Sequence, residues 1–164
     1  VMSSNEPFRL IFVCMGNICR SPAGENVMNA VIAKAGLEHA ISCDSAGTID
    51  YHTGKGPDVR MCEAAKKRGH DFVGSARQVE YADLKDHDLI VAMDRANHGD
   101  LSALDQNERH RAKIVMFTKF CSEKSVPEDV PDPYYGGSEG FERVLDLLED
   151  GCQGILTEIK KRLV

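Results

Sequence analysis

No two cysteines in this chain are spaced C-x-x-C, no apolar stretch reaches membrane-spanning length, no G-x-x-x-x-G-K-[ST] occurs, and basic residues do not outnumber acidic ones. Each absence removes a class of function. The cysteines, at 14, 19, 43, 62, 121 and 152, are scattered through apolar or helical surroundings, which argues against a zinc site or any other resident metal. In a reducing compartment Cys43, Cys62, Cys121 and Cys152 read as small buried residues. Without the glycine-lysine motif there is no nucleotide P-loop. A formal net charge of -6 argues against binding nucleic acid by general phosphate attraction, so any hold on phosphate has to be local. The first apolar run is too short for a signal peptide or a membrane span, which makes a cytoplasmic protein without membrane insertion the expectation. No internal repeat or domain boundary interrupts the chain. Its 164 residues, 42% hydrophobic and 28% charged, suit one globular domain with a real core. Residues 1–8 read as an N-terminal tail and 9–164 as the domain, expected to be monomeric.

Strands and helices alternate. Residues 9–15, with Leu10, Ile11, Phe12 and Val13 in series, predict a buried strand. A helix follows over 21–35, ended by Gly36, with Val27, Val31, Ile32 and Ala35 on its apolar side. Further strands are expected at 41–46, 89–93 and 114–117, and further helices at 57–68, 94–104 and 138–163. The last helix carries Phe141, Val144, Leu145, Leu148, Cys152, Ile155, Ile159 and Leu163 at helical spacing. Gly151 and Gly154 each weaken it by about 1 kcal/mol against alanine, which packing has to offset. The pattern implies α/β architecture: a single-domain open parallel sheet of four strands, with helices on both faces. Ligands of such sheets bind beyond the carboxyl ends of the strands.

Cys14 stands at that edge. Cys14-Met15-Gly16-Asn17-Ile18-Cys19-Arg20-Ser21-Pro22 leads from the first strand into the first helix. Gly16 and Asn17 tolerate left-handed turns, and Ser21-Pro22 read as an N-cap followed by a first-turn proline. Backbone N–H groups at the helix start would converge with the Arg20 fork on a phosphate-like anion. The same donors stabilise a thiolate at Cys14, a good nucleophile towards phosphorus. Ser21 is positioned to donate its hydroxyl to that sulfur; a plain capping role is the alternative. In the long loop 121–137, Asp132 lies between Pro131 and Pro133, which stiffen the backbone on both sides. It is either a general acid for a departing oxygen or a turn residue. Tyr134 and Tyr135 either flank an aromatic substrate ring or fill core, and Tyr51 borders the same edge.

Extended to C-M-G-N-I-C-R-S-P after a strand, the motif resembles that of the low-molecular-weight protein tyrosine phosphatases, over essentially the whole chain. The resemblance implies a flavodoxin-like (phosphotyrosine phosphatase I-like) fold and hydrolysis of protein phosphotyrosine through a phosphocysteine, without a cofactor. It implies Cys14 as nucleophile, Arg20 as the phosphate-binding arginine and Asp132 as general acid. Met15, Gly16, Asn17, Ile18, Cys19 and Ser21 would complete the phosphate loop, braced by Asn17, Ser21 and Ser45. Ile18, Tyr51, His52, Tyr134 and Tyr135 fall on substrate-wall positions. Cys19 would be able to close a reversible disulfide with Cys14. Tyrosine-phosphorylated proteins are the implied partners, with phosphate or similar oxyanions as product or inhibitors. One departure stands out: the histidine with which many members support the asparagine–serine network falls here on Gly74. Arsenate reduction on this fold needs later resolving cysteines, and residues 69–120 contain none. Arginine-phosphate hydrolysis goes with threonine at the position of Ile18.

Overall fold

Four apolar residues in a row make sense only for a strand covered on both faces, and Phe8–Cys14 (β1) is the strand so covered. Its Leu10, Ile11, Phe12 and Val13 are all 0% exposed. The computed structural model describes residues 6–123 and 126–164, with the Tyr135 side chain outside the described part. β1 pairs on one side with Ile41–Gly47 (β2) and on the other with Leu89–Ala92 (β3), and Ile114–Met116 (β4) adds to β3. The order is β2-β1-β3-β4 and every pairing is parallel. Alternation along β1 divides the core. Leu10 and Phe12 face Arg20–Lys34 (α1), Val59–Lys66 (α2) and Ser138–Leu163 (α5). Ile11 and Val13 face Tyr81–Asp86 (α3) and Arg95–Leu104 (α4). This is the expected α/β architecture.

The register sets Cys14 beside Gly47 and Val13 beside Ala92, so the carboxyl ends of the central strands finish at one edge. Several details differ from the expectations: Phe8, expected in the tail, opens β1 and is buried, and Phe117 leaves the fourth strand for a 3₁₀ turn. α3 was not foreseen: it is six residues long, buries only Asp83 and Leu84, and is nucleated where the Glu80 N–H donates to Asp83 Oδ2 at 2.8 Å. So short an element carries no readable period. α1 begins at Arg20, not Ser21, and the N-cap position falls on Cys19. Ser21 sits inside the first turn and caps nothing, because its hydroxyl is engaged by Cys14, Asn17 and Ala46. Pro22 still lies in the first turn, where a missing N–H costs little. The buried stripe of α1 accordingly runs through Val27, Met28 and Ile32 and leaves Ala35 exposed. At the far end of α5, its last residue Leu163 is also exposed.

α5 owes its two glycines to contact rather than to flexibility. A Cβ on Gly151 would enter the ring of the fully buried Phe117, and one on Gly154 would strike the Phe120 carbonyl. The helix thus lies directly on the 3₁₀ turn Phe117–Phe120. Gly99, in α4, meets nothing within 4 Å. In urea unfolding, Gly151→Ala and Gly154→Ala are each expected to lower stability by about 1–3 kcal/mol despite the better helix former. Gly99→Ala should raise it by roughly 0.5–1 kcal/mol.

Candidate active site

β1 ends at Cys14 and the chain then curls back under itself. Asn17 takes a left-handed conformation (φ 56), which an asparagine tolerates better than other non-glycine residues. Its buried side chain is used almost completely: Nδ2 donates to Ser21 Oγ (2.8 Å) and Ser45 Oγ (3.0 Å), and Oδ1 accepts from the Arg77 N–H (3.0 Å). Ser21 Oγ in turn lies 3.0 Å from Cys14 Sγ. Ser21 accepts from Asn17, so its single hydrogen is shared between the sulfur and the Ala46 carbonyl, 3.3 Å away. The strand edge straps the loop down: the Thr48 and Ile49 N–H groups donate to the Cys14 and Met15 carbonyls, and Asp58 N–H donates to the Ile18 carbonyl (2.7 Å). Gly47 makes this approach possible, for a Cβ there would lie 2.7 Å from the Met15 oxygen.

Arg20 opens α1 and is only 3% exposed. One guanidinium nitrogen donates to Asp94 Oδ2 (2.6 Å) and to the Val130 carbonyl (3.0 Å), and the other reaches Asp132 Oδ2 at 3.5 Å. Burial works to lower its pKa, but Cys14, the Asp94 hydrogen bond and Asp132 outweigh it and push the value up, so the side chain stays charged. The Val130 peptide is also pinned from behind, its N–H donating to the Met93 carbonyl, while Arg95 clasps Asp129. The loop carrying Asp132 is therefore docked on the β3–α4 junction. Asp132 itself accepts from the Tyr134 N–H at 3.1 Å and keeps its side chain 32% exposed at the mouth of the cleft.

Cys14, Gly16, Ile18, Arg20, Asp132, His52 and Tyr134 line one cleft, joined by Met15, Cys19 and Ile49. Tyr51 is not in the lining; it is 76% exposed and meets His52 edge-on at 4.8 Å, which places it on the outer rim. His52 bridges inward to Tyr134, 6.2 Å between ring centres. The Tyr135 side chain lies outside the described residues. Cys19 is buried, and burial first, then Asp58 and Cys14, push its thiol pKa far up.

Several residues were not singled out from the sequence. Asp94 holds Arg20 and also caps α4 through Asn97 N–H (2.7 Å); its place just after β3, at the ligand edge of the sheet, was the available signal. Arg60 forks Asp58, donates to the Tyr134 carbonyl (3.0 Å) and lies over the Tyr134 ring. Glu25 accepts from Ser45 Oγ at 2.6 Å. Gly74 (φ +137) has open space where a Cβ would stand, and His70 turns instead towards Glu149 of α5.

A family model described as low molecular weight phosphotyrosine protein phosphatase matches residues 9–164. A Synechocystis sp. protein is 52% identical over 95% of this chain and 99% of its own. The Bacillus subtilis low molecular weight protein-tyrosine-phosphatase YfkJ is 41% identical over 93% of this chain and 96% of its own. A crystal structure of a protein tyrosine phosphatase from Entamoeba histolytica, with Hepes in the active site, superposes with a TM-score of 0.89 at 43% identity, covering 96% of this chain and 99% of that one. The match runs through both the Cys14 loop and the Asp132 loop, and the chain belongs to the low molecular weight phosphotyrosine protein phosphatase family.

Proposed function

We propose that this protein hydrolyses phosphotyrosine in proteins, with Cys14 as nucleophile, Arg20 as phosphate ligand and Asp132 as general acid. The observation that carries the reading is the Ser21 hydroxyl 3.0 Å from Cys14 Sγ, on a loop that ends at the buried, charged Arg20. A phosphate dianion entering the loop meets the N–H groups at the start of α1, while Arg20 supports it from the side. The Cys14 thiolate attacks phosphorus, the bond to the phenolic oxygen breaks, and Asp132 supplies the proton that oxygen needs. Water then attacks the phosphocysteine, Asp132 takes a proton from it, and the sulfur leaves as a thiolate to which Ser21 donates. Tyrosine and inorganic phosphate are the products, and phosphate or like oxyanions are expected to inhibit. The route uses no cofactor.

The choice of tyrosine rests on the walls. Ile18 adds an apolar side chain to the cleft, and His52 and Tyr134 add rings to its lining against which a substrate ring can pack, a contact worth about 0.5–1.5 kcal/mol. Six free cysteines support a reducing, cytoplasmic setting. Cys19 shares the loop with Cys14, so a peroxide that oxidises Cys14 to a sulfenic acid would see it condense with the Cys19 thiol, releasing water and closing a disulfide.

Cys14→Ser is expected to abolish turnover of a phosphotyrosine peptide, and Asp132→Asn to lower kcat by roughly 10²–10⁴-fold. Steady-state assays with phosphotyrosine, phosphoserine and phosphoarginine peptides check both: turnover by Cys14→Ser overturns the mechanism, and preference for phosphoarginine overturns the substrate. Inactivation by hydrogen peroxide should be reversed by dithiothreitol in the wild type but not in Cys19→Ser, with activity recovery as the readout.

A further inference from the structure

The brace behind the phosphate loop does not end at Ser45. Ser45 Oγ has one hydrogen to give and receives one from Asn17 Nδ2. Its hydrogen goes to Glu25 Oε1 at 2.6 Å, the length of a hydroxyl bound to an ionised carboxylate. Glu25 lies four residues after Ser21 on α1, on the same face of the helix, so a single turn of α1 supplies two links, Glu25 and Ser21, of the chain Glu25–Ser45–Asn17–Ser21–Cys14. The direction of donation matters. With a carboxylate at Glu25, the Ser45 hydrogen points away from Asn17 and leaves a lone pair for its amide. Asn17 then has its second amide hydrogen for Ser21, whose own hydrogen lies between the sulfur at 3.0 Å and the Ala46 carbonyl at 3.3 Å. A protonated Glu25 is itself a donor towards Ser45, and the Ser45 hydrogen is turned back on Asn17.

We propose that Glu25 is a positioning residue for the phosphatase reaction: its carboxylate polarises Ser45 and so holds Asn17 in the conformation that shapes the Cys14–Arg20 loop. Among the described residues, no other side chain accepts from the Ser45 hydroxyl. Gly74 contributes no side chain to the recess lined by Asn17, Glu25, Ser45, Lys55 and Ser75, and within it the Ser45 hydroxyl has Glu25 as its acceptor. The charged groups facing Glu25 are Asp44 on β2, Arg77 before α3 and Lys55 at the rim of the recess. Burial raises the Glu25 pKa, the Ser45 bond lowers it, Asp44 raises it and Arg77 lowers it, with a net rise. A carboxyl whose folded pKa is raised favours the folded state when protonated, so its ionised form costs stability at neutral pH. Function and stability thus pull in opposite directions at this residue, which makes its role separable by experiment.

The inference rests on the proposed phosphatase activity, and the test keeps the two apart. Wild type, Glu25→Ala and Glu25→Gln are compared in kcat and KM on a phosphotyrosine peptide, in inorganic phosphate binding by calorimetry, and in thermal unfolding. Glu25→Ala should lower kcat by about 10-fold, the scale of one lost charge-assisted hydrogen bond, and weaken phosphate binding, which needs no turnover. Glu25→Gln, whose amide oxygen still accepts from Ser45, should recover most of the rate without lowering Tm. The ratio of kcat/KM between wild type and Glu25→Gln should fall as pH is lowered, because the two proteins differ in that one carboxyl and every other pH effect cancels in the ratio. Kinetics and phosphate binding of Glu25→Ala within 2-fold of wild type would overturn the inference. So would a loss of rate matched by an equal loss of folded protein, or a pH-independent ratio. An inactive wild type that still binds phosphate Glu25-dependently would overturn the activity and leave the positioning role standing.

Discussion

The site depends on how one amide side chain is spent. Asn17 is 3% exposed, so no water substitutes for its partners, and its left-handed backbone persists because bonds to the first turn of α1, the end of β2 and the segment before α3 all converge on it. An unmet buried amide would cost about 1–3 kcal/mol. The loop is therefore held in shape before any anion arrives, which lowers the ordering cost at binding. Gly47 is the complement of this arrangement, since only a residue without a side chain lets β2 pass against the Met15 carbonyl.

Arg20 joins the two halves of the chemistry. The same guanidinium that closes the Cys14 loop also holds Asp94 after β3 and the Val130 carbonyl in the loop of Asp132. Phosphate binding and the placement of Asp132 are thereby coupled through one buried cation. Asp94 serves α4 as an N-cap at the same time, so the position of that helix and the orientation of Arg20 are set by one carboxylate. Further out, Arg60 ties the start of α2 to the Tyr134 loop, linking the loop's outer wall to the segment that receives the Ile18 carbonyl.

The central strand and the sequence of alternating elements were legible because burial on both faces leaves an unbroken apolar run and because glycines mark several helix ends. Cys14, Arg20 and Asp132 were legible because a thiol and a guanidinium across a tight turn, and an acid between prolines, are local patterns. Ser21 read as a cap from its neighbours alone; its hydroxyl is drawn off by Asn17 and Cys14, partners that a local reading does not weigh. α3 escaped because six residues with one buried leucine carry no period. Ala35 is the C-cap of α1 and Leu163 the last residue of α5, so both are exposed where their helices end.

By itself the sequence determined the parallel α/β architecture, the loop between β1 and α1 and the chemistry its residue types support, since each is encoded by neighbours in the chain. The tertiary structure alone decided that Glu25, rather than any histidine, stands behind Ser45, that Asp94 holds Arg20, and that Tyr51 lies on the rim while Ile49 enters the cleft. The physical reason is distance along the chain: Glu25 and Ser45 are separated by 20 residues and Arg20 and Asp94 by 74. Only the register of β1 with β2 and β3 brings those pairs to one edge.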